Sequence, residues 1–257
     1  MNLFSDKIHK QLSTEGVTAY QLEQEFKEDV GLTLELLHAQ GLILKERDGR
    51  YRYETTDIDI DDAVFCIVDI ETNGSKTDKH QIIEIGAVKV QNYTIIDQFE
   101  SLVQCDSISK HITEITGISV DDTKDAPTLK DVMNEFRLFL GASVFVGHDV
   151  KFDYSFTSAM LERVGQPSLM NRKLCTIDLA ERTISSYRYG LKYLNEQLEL
   201  YNEATHHRAL SDAITTAKLF KRTLKHVPDE IRSTEQLIQF SKQAKRLKRS
   251  KFDPKVL

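Results

Sequence analysis

Five side chains of this 257-residue chain have types and positions suited to one piece of chemistry. Asp69 and Glu71 close the apolar run VFCIVDI (64–70). Strand periodicity puts both on one face. Two like charges one period apart repel, and a bound cation offsets that cost. Asp153 follows a second apolar run, SVFVGH (143–148), at the start of a helix where free N–H groups favour an anion. His207 and Asp212, in His-x4-Asp spacing, belong to HHRALSDAITTAKLF. Taken singly, they read as solvated strand-end acids, a first-turn acid, a loop histidine and an exposed helix acid. Together they read differently, because strand ends and helix starts of one α/β sheet can converge in a single crevice. Four carboxylates are the oxygen donors that Mg²⁺ or Mn²⁺ prefers. Two such ions ~3.5–4 Å apart can clamp the attacking and leaving oxygens of a phosphodiester. A histidine beside them can take the proton of the attacking water.

The elements around these residues fit an α/β domain. The run at 64–70 reads as a buried strand, and QIIEIGAVKV (81–90) and YTIIDQFESLV (93–103) as two more joined by a short turn. A short helix is expected over 112–116. Leu129, Val132, Met133, Phe136 and Leu140 recur at helical spacing. Residues 143–148 read as a strand, and FDYSFTSAMLERVG as a helix ending at Gly165. LCTIDLAER begins as a strand and turns helical, and GLKYLNEQLEL and the segment from His207 add two helices. A meander followed by crossover helices is the expected order.

Before this domain, residues 1–56 read as helix, helix, helix, hairpin. Thr18 and Gln21 form a capping-box pattern, Gly41 stops the third helix, and Asp48-Gly49 marks a tight turn. The order resembles a winged helix. Its third helix, Val30 to Gln40, has no Lys or Arg, so electrostatics favour a protein contact or spacer over a DNA reader. The acidic stretch at 57–63 is expected to be a linker.

Composition narrows the class. Apolar residues make up 40% and charged residues 29%, which suits a globular chain. No apolar stretch reaches the ~18 residues a membrane helix needs, and the N-terminus lacks a signal-peptide core. Cys66, Cys105 and Cys175 form no CxxC pair, so reduced thiols in a cytoplasmic protein are expected. The net charge of −6 is uneven: −4 over residues 1–57, −10 over 58–217 and +8 over 218–257. An acidic middle suits a polyanion only if its carboxylates hold cations, and a basic tail is a candidate polyanion or acidic-partner contact.

VFCIVDIETNG with IIEIGAV, VGHDVKFDYSF and HHRALSDAITTAKLF resemble, in order, the three motifs of the DEDDh 3′→5′ exonucleases. ITGIS (115–119), APTL (126–129) and LCTIDLAER match connecting segments of that family. The resemblance covers roughly residues 62–224 and is greatest to proofreading epsilon-type subunits of bacterial replicative DNA polymerases. It implies a ribonuclease H-like fold, with a mixed five-stranded sheet and flanking helices in residues 64–226. It also implies removal of nucleoside monophosphates from DNA 3′ ends, beside a polymerase catalytic subunit. Two Mg²⁺ or Mn²⁺ ions are implied, with Asp69 bridging them, Glu71 and Asp212 completing the tighter site and Asp153 acting partly through water. His207 becomes the general base and His206 a loop neighbour. An RNA-trimming relative and a non-catalytic scaffold are the alternatives. Asp149 stands where the family often has Asn, and is expected to face solvent.

Further contacts follow from the same resemblance. Thr72, Asn73 and Gly74 would lie against the terminal nucleotide, Glu84 would bind the 3′-hydroxyl, and His148 and Phe152 would touch the scissile phosphate and a base. Taken alone, Glu84 reads as a solvent-facing strand acid, and Phe152 equally as core. Residues 227–257 are expected to form a basic tail containing a capped helix from Ser233, with Leu237, Phe240, Ala244 and Leu247 as a narrow stripe. That tail would be a solvated amphipathic helix packed on the domain, a docking element or a nucleic-acid contact, and QLIQF (236–240) is faintly similar to sliding-clamp peptides.

Overall fold

The computed structural model describes residues 4–201, 203–205, 207–251 and 253. The N-terminal unit comprises α1 (Asp6–Leu12), α2 (Ala19–Phe26), α3 (Val30–Ala39) and the hairpin β1 (Leu44–Arg47)–β2 (Arg50–Tyr53). Ser5, Thr18 and Asp29 cap the three helices by accepting the backbone N–H groups of Ile8, Gln21 and Leu32. Asp48 and Gly49 both have positive φ, 54° and 74°, as the twist of a two-residue hairpin turn requires. Leu12, Val17, Leu22, Leu37 and Tyr53 form the core of this unit.

The main domain is built on a five-stranded sheet in the order β5-β4-β3-β6-β7. Its strands are β3 (Phe65–Thr72), β4 (Ile82–Gln91), β5 (Thr94–Leu102), β6 (Val144–Gly147) and β7 (Lys173–Cys175). β3, β4 and β5 are an antiparallel meander, while β6 and β7 run parallel to β3 after helical crossovers. Around the sheet lie α4 (Lys110–Thr116), α5 (Val120–Thr123), α6 (Leu129–Leu140), α7 (Val150–Arg163), α8 (Thr176–Thr183), α9 (Leu191–Leu198), α10 (Ala209–Leu224) and α11 (Thr234–Gln243). Alternate residues of β3 feed two cores. Cys66, Val68 and Ile70 pack with Phe136, Phe156 and Met160. Phe65 and Ile67 pack with Leu179, Phe220 and Leu237. Asp69 and Glu71 continue the second row beyond the point where apolar packing ends.

One glycine sets the spacing of this second layer. Gly86 pairs with Asp69 across β4 and β3. A Cβ at position 86 would lie 2.1 Å from the Leu210 nitrogen and 2.3 Å from the Ala209 carbonyl carbon. The first turn of α10 therefore rests directly on the β4 backbone, which brings Asp212 to the sheet.

The linker and tail differ from the sequence expectation. Residues 57–63 are strapped to the C-terminal segment: Asp59 bridges to Ser233, the Thr234 N–H donates to the Ile58 carbonyl, and Ile58 and Ile60 pack into the second core. In α11, Leu237 and Ile238 are fully buried and Phe240 is half-buried, so the apolar residues of QLIQF pack into the core and do not form a free clamp-binding peptide. The stripe does not extend to Leu247, which is 43% exposed, because α11 stops at Gln243. Arg182 holds that end by donating to the Lys242 and Ala244 carbonyls. Beyond it, Arg246 and Arg249 pair with Glu181, so part of the tail's positive charge is spent within the chain.

The N-terminal unit is docked as well. Arg137 donates to the Ala39 carbonyl and the Met170 N–H to the Gln40 carbonyl. Arg172 lies 4.1 Å above the Tyr53 ring and forks onto Glu235 at 3.0 and 2.5 Å. Glu235 also accepts the Thr55 hydroxyl. No helix among the described residues is long and apolar enough to cross a membrane.

Candidate active site

Asp69, Glu71, Asp153, His207 and Asp212 converge. A cleft of about 270 Å³ at the end of β3 is lined by Asp69, Glu71, Asp153, His207 and Asp212, together with Phe152. Asp69 and Glu71 come from β3, Asp153 from the first turn of α7 and Asp212 from the first turn of α10. Ligand atoms of Glu71, His207 and Asp212 all lie within 4.8 Å of one another. The carboxylate of Asp153 is tucked against Gly147, where a Cβ would sit 2.9 Å from Oδ2. Asp153 and Asp212 are buried, whereas His207 is exposed at the cleft mouth. His207 has a left-handed backbone, φ 62°, and its N–H donates to Asp212 Oδ2 at 2.9 Å.

The charges confirm how crowded this site is. Burial, then the nearby Asp153, Asp212 and Glu71 carboxylates, push the Asp69 carboxyl well above the usual range. Burial, then Asp149 and Glu71, do the same to Asp153. Burial, Asp212 and Glu84 raise Glu71 to about 7, with Arg208 opposing. An acidic donor set this self-repelling fits a divalent cation, whose positive charge would outweigh the mutual repulsion of the carboxylates.

Three residues expected at the substrate have other work. Glu84 is fully buried, not solvent-facing; its oxygens accept Arg208 Nε, Arg208 Nη2 and the Ala209 N–H, so it is not open to a sugar hydroxyl. His148 has both ring nitrogens engaged. Nε2 lies 2.8 Å from the Tyr189 carbonyl and Nδ1 2.9 Å from the Thr176 hydroxyl, so it offers the phosphate no free nitrogen. Burial lowers its pKa to about 4 and keeps it neutral; Nε2–H then donates to Tyr189 and Nδ1 accepts from Thr176. The Asn73 side chain donates to the Ser107 carbonyl and accepts the Gln81 N–H, while its own N–H donates to the Gln81 carbonyl. These bonds set the loop rather than reach outward.

Thr72 ends β3 just past a bulge, half-buried. Gly74 packs under His80, whose ring would lie 2.5 Å from an added Cβ. Phe152 is 37% exposed and leans on Phe156 with ring centres 5.5 Å apart, leaving one face at the cleft. Asp149 is exposed, but it lines the acidic cleft and its charge acts on Asp153, so it does not simply face away into solvent; its φ of 79° is a left-handed turn between β6 and α7 that Asn and Asp tolerate. His206 lies outside the described residues.

Sequence reasoning read residues 190–200 only as a helix. The structure opens a second cleft there, about 550 Å³, lined by Arg188, Leu191, Lys192 and Tyr193 and sharing His207 and Asp212 with the first. The alternation of cations and aromatics in YRYGLKY (187–193) was the available signal.

Comparison with known proteins agrees with this architecture. The family model described as Exonuclease (RNase T) matches residues 66–220. A PolC-type DNA polymerase III of Staphylococcus haemolyticus is 30% identical over 221 residues, which is 83% of this chain and 15% of that polymerase. A PolC-type enzyme of Staphylococcus saprophyticus is 34% identical over 178 residues, 68% of this chain and 12% of its own length. The chain thus spans about one seventh or less of these relatives. Exonuclease X in complex with 5′-overhanging duplex DNA superposes with a TM-score of 0.55 at 26% identity, covering 69% of this chain and 99% of that one. An E. coli ExoI–ssDNA complex with bound zinc superposes at 0.59 with 16% identity, covering 65% of this chain and 42% of that one, a likeness of fold. With the family match spanning more than half of its length and the acidic cleft at the end of its central strand, this chain belongs to the RNase T exonuclease family and has the ribonuclease H-like fold.

Proposed function

We propose that this chain is a metal-dependent 3′→5′ exonuclease that releases nucleoside monophosphates from DNA ends. The observation that carries the reading is the convergence of Asp69, Glu71, Asp153, Asp212 and His207 in one cleft. The four carboxylates would hold the divalent ions, Mg²⁺ or Mn²⁺, which supply an activated water and shield the charge that builds on the phosphate. His207, exposed at the mouth, accepts the proton of the attacking water. Asp212 fixes the His207 backbone while offering its carboxylate to the cleft. Phe152 presents a ring face on which a terminal base can stack. Thr72 and Gly74 follow Glu71 in the chain, and the terminal sugar is proposed to lie against them.

The similarity to PolC-type polymerases supports a proofreading role beside a replicative polymerase in the cytoplasm. Residues 1–56 we propose to be a winged-helix-like module, residues 64–226 the exonuclease domain, and the C-terminal helix a structural brace.

Digestion of end-labelled single-stranded DNA and RNA with Mg²⁺, Mn²⁺ or EDTA tests this. Stepwise shortening of DNA from the 3′ end, abolished by EDTA, is expected. Preference for RNA would move the protein to the RNA-trimming branch, and no cleavage of either would overturn the enzymatic reading.

A further inference from the structure

The chain beyond α11 stays on the domain. The Leu247 N–H donates to the Glu181 carbonyl at 2.8 Å and the Ser250 N–H to the Ser186 carbonyl at 3.1 Å, while the Ser185 hydroxyl donates to the Lys248 carbonyl. Further on, the Tyr193 hydroxyl reaches Asp253 at 3.0 Å. The segment is therefore laid along residues 181–186 and ends against Tyr193. That tyrosine is a wall of the cleft of about 550 Å³ that shares His207 and Asp212 with the acidic site, and Leu191 lines both clefts.

The cations of this segment fall into two sets, each with a period of three. Arg246 and Arg249 are tied to the domain: both pair with Glu181, Arg246 also with Asp178, and Arg249 lies 5.5 Å from the Tyr189 ring centre. Lys245, Lys248 and Lys251 are exposed, and among the described residues none of the three ammonium groups has an ion-pair partner or a hydrogen-bond acceptor. Arg188 and Lys192, also exposed, continue the positive charge onto the cleft wall, where Glu196 opposes it. Residues 181–193 and 244–253 together carry eight Lys/Arg against two Asp/Glu, and counting Asp178 and Glu196 still leaves an excess of four positive charges. Residues 58–217 as a whole stand at −10. A domain so acidic repels a polyanion everywhere except where cations are gathered, and here they are gathered beside the cleft.

We infer that Lys245, Lys248 and Lys251, with Arg188 and Lys192 at the cleft, form a track for the phosphates of the single strand that leads into the active site. The inference rests on the reading of the acidic cleft as the seat of a DNA 3′ end. Six residue steps separate Lys245 from Lys251, a reach of at most ~20 Å, which is about six stacked nucleotides at ~3.4 Å each. The backbone bonds to residues 181–186 hold the track in place before a strand arrives, so binding orders only the lysine side chains.

The test is fluorescence anisotropy of 5′-labelled dT3 and dT12 with the full chain in Ca²⁺ over a range of salt, alongside cleavage rates in Mg²⁺. Wild type should bind dT12 more tightly than dT3, with a steep loss as salt rises. The triple variant Lys245→Gln, Lys248→Gln, Lys251→Gln should bind dT12 at least about ten-fold more weakly at low salt, with a log–log salt slope shallower by about 2, three cations at ~0.7 each. Its binding and cleavage of dT3 should match wild type, and the triple Arg variant should retain dT12 affinity. Thermal melts verify that each variant is folded. An unchanged dT12 affinity and salt slope in the folded triple Gln variant would overturn the track while leaving the exonuclease reading intact. Loss of dT12 affinity in that variant, from a wild type that binds but cleaves neither oligonucleotide, would support the track and overturn the exonuclease reading. Binding of a poly-glutamate peptide of matched charge as tightly as dT12 would make the strip a contact for an acidic protein and overturn its assignment to the strand.

Discussion

Glu84 and Arg208 form an ion pair in which two of the guanidinium nitrogens, Nε and Nη2, converge on one carboxylate oxygen, at 3.0 and 2.7 Å, while the other oxygen takes the Ala209 N–H at 2.9 Å. Glu84 also stands directly across from Glu71 in the β3–β4 ladder. Like charges placed so repel, and Arg208 offsets this while pinning the residue next to His207.

Glu84 therefore positions the loop that carries His207. Glu84→Gln and Arg208→Ala are each expected to slow cleavage by about ten-fold, and the double variant by no more, since both act on one contact. The loss should be equal on oligonucleotides ending in a 3′-hydroxyl and in a 3′-deoxy sugar. If the effect of Glu84→Gln disappeared on the 3′-deoxy substrate, Glu84 would be a hydroxyl ligand after all.

Asp69→Ala and His207→Ala should fail in different ways. Asp69→Ala is expected to abolish cleavage and weaken Mn²⁺ binding, with the melting temperature in EDTA unchanged or higher because one repelling charge is gone. His207→Ala should lose about 10²–10⁴-fold in rate while still binding Mn²⁺ through the acids. Paramagnetic titration alongside initial rates separates the two.

Glu71 carries a pH signature. Its pKa in the folded chain, about 7, is above its ordinary 4.5, so in EDTA the native state holds a proton that the unfolded chain has lost. Its contribution to stability therefore falls as pH rises from about 4.5 to about 7, by up to ~3 kcal/mol. His9 and His148, both lowered to about 4, act in the opposite sense over an overlapping range, so the whole-protein melt mixes the trends. The clean measurement is the stability gain from Glu71→Gln. It should grow through this window, level off above it and vanish with saturating Mg²⁺. A gain independent of pH would contradict the shift.

Deleting residues 1–56 should lower the melting temperature of the remainder by several degrees, because Arg137 and Arg172 lose the Ala39 carbonyl and the Tyr53 ring. Hydrolysis of short single strands by the folded fraction at 25 °C should stay within a few-fold, as the five cleft residues lie between 69 and 212. A collapse of that rate would make the N-terminal unit part of the catalytic apparatus.

The sequence was legible wherever a local rule governs. The D-x-E at a strand end, the caps at Thr18 and Ser233 and the Asp48-Gly49 turn each follow from a few neighbouring residues, and the structure has these elements within a few residues of where they were read. What it hid was pairing across distance. That Glu84 would meet Arg208, that both nitrogens of His148 would be taken by Thr176 and Tyr189, and that Glu235 would reach Arg172 depend on how helices cross the sheet. The acidic linker looked free because its bonds are made by backbone groups to residues 232–234, more than 170 positions away. The C-terminal helix looked like a docking element because an apolar stripe reads alike whether its occupant is a partner or the chain's own core.

Gly86 gives the active site a mechanical tolerance. Because α10 touches the β4 backbone there with no side chain between them, the gap between Asp69 and Asp212 is set by two backbones in contact. Any larger residue at 86 would act as a shim, lifting the helix and widening the carboxylate cage. A mutational screen would then score this position as essential for activity, although it neither meets substrate nor carries a functional group.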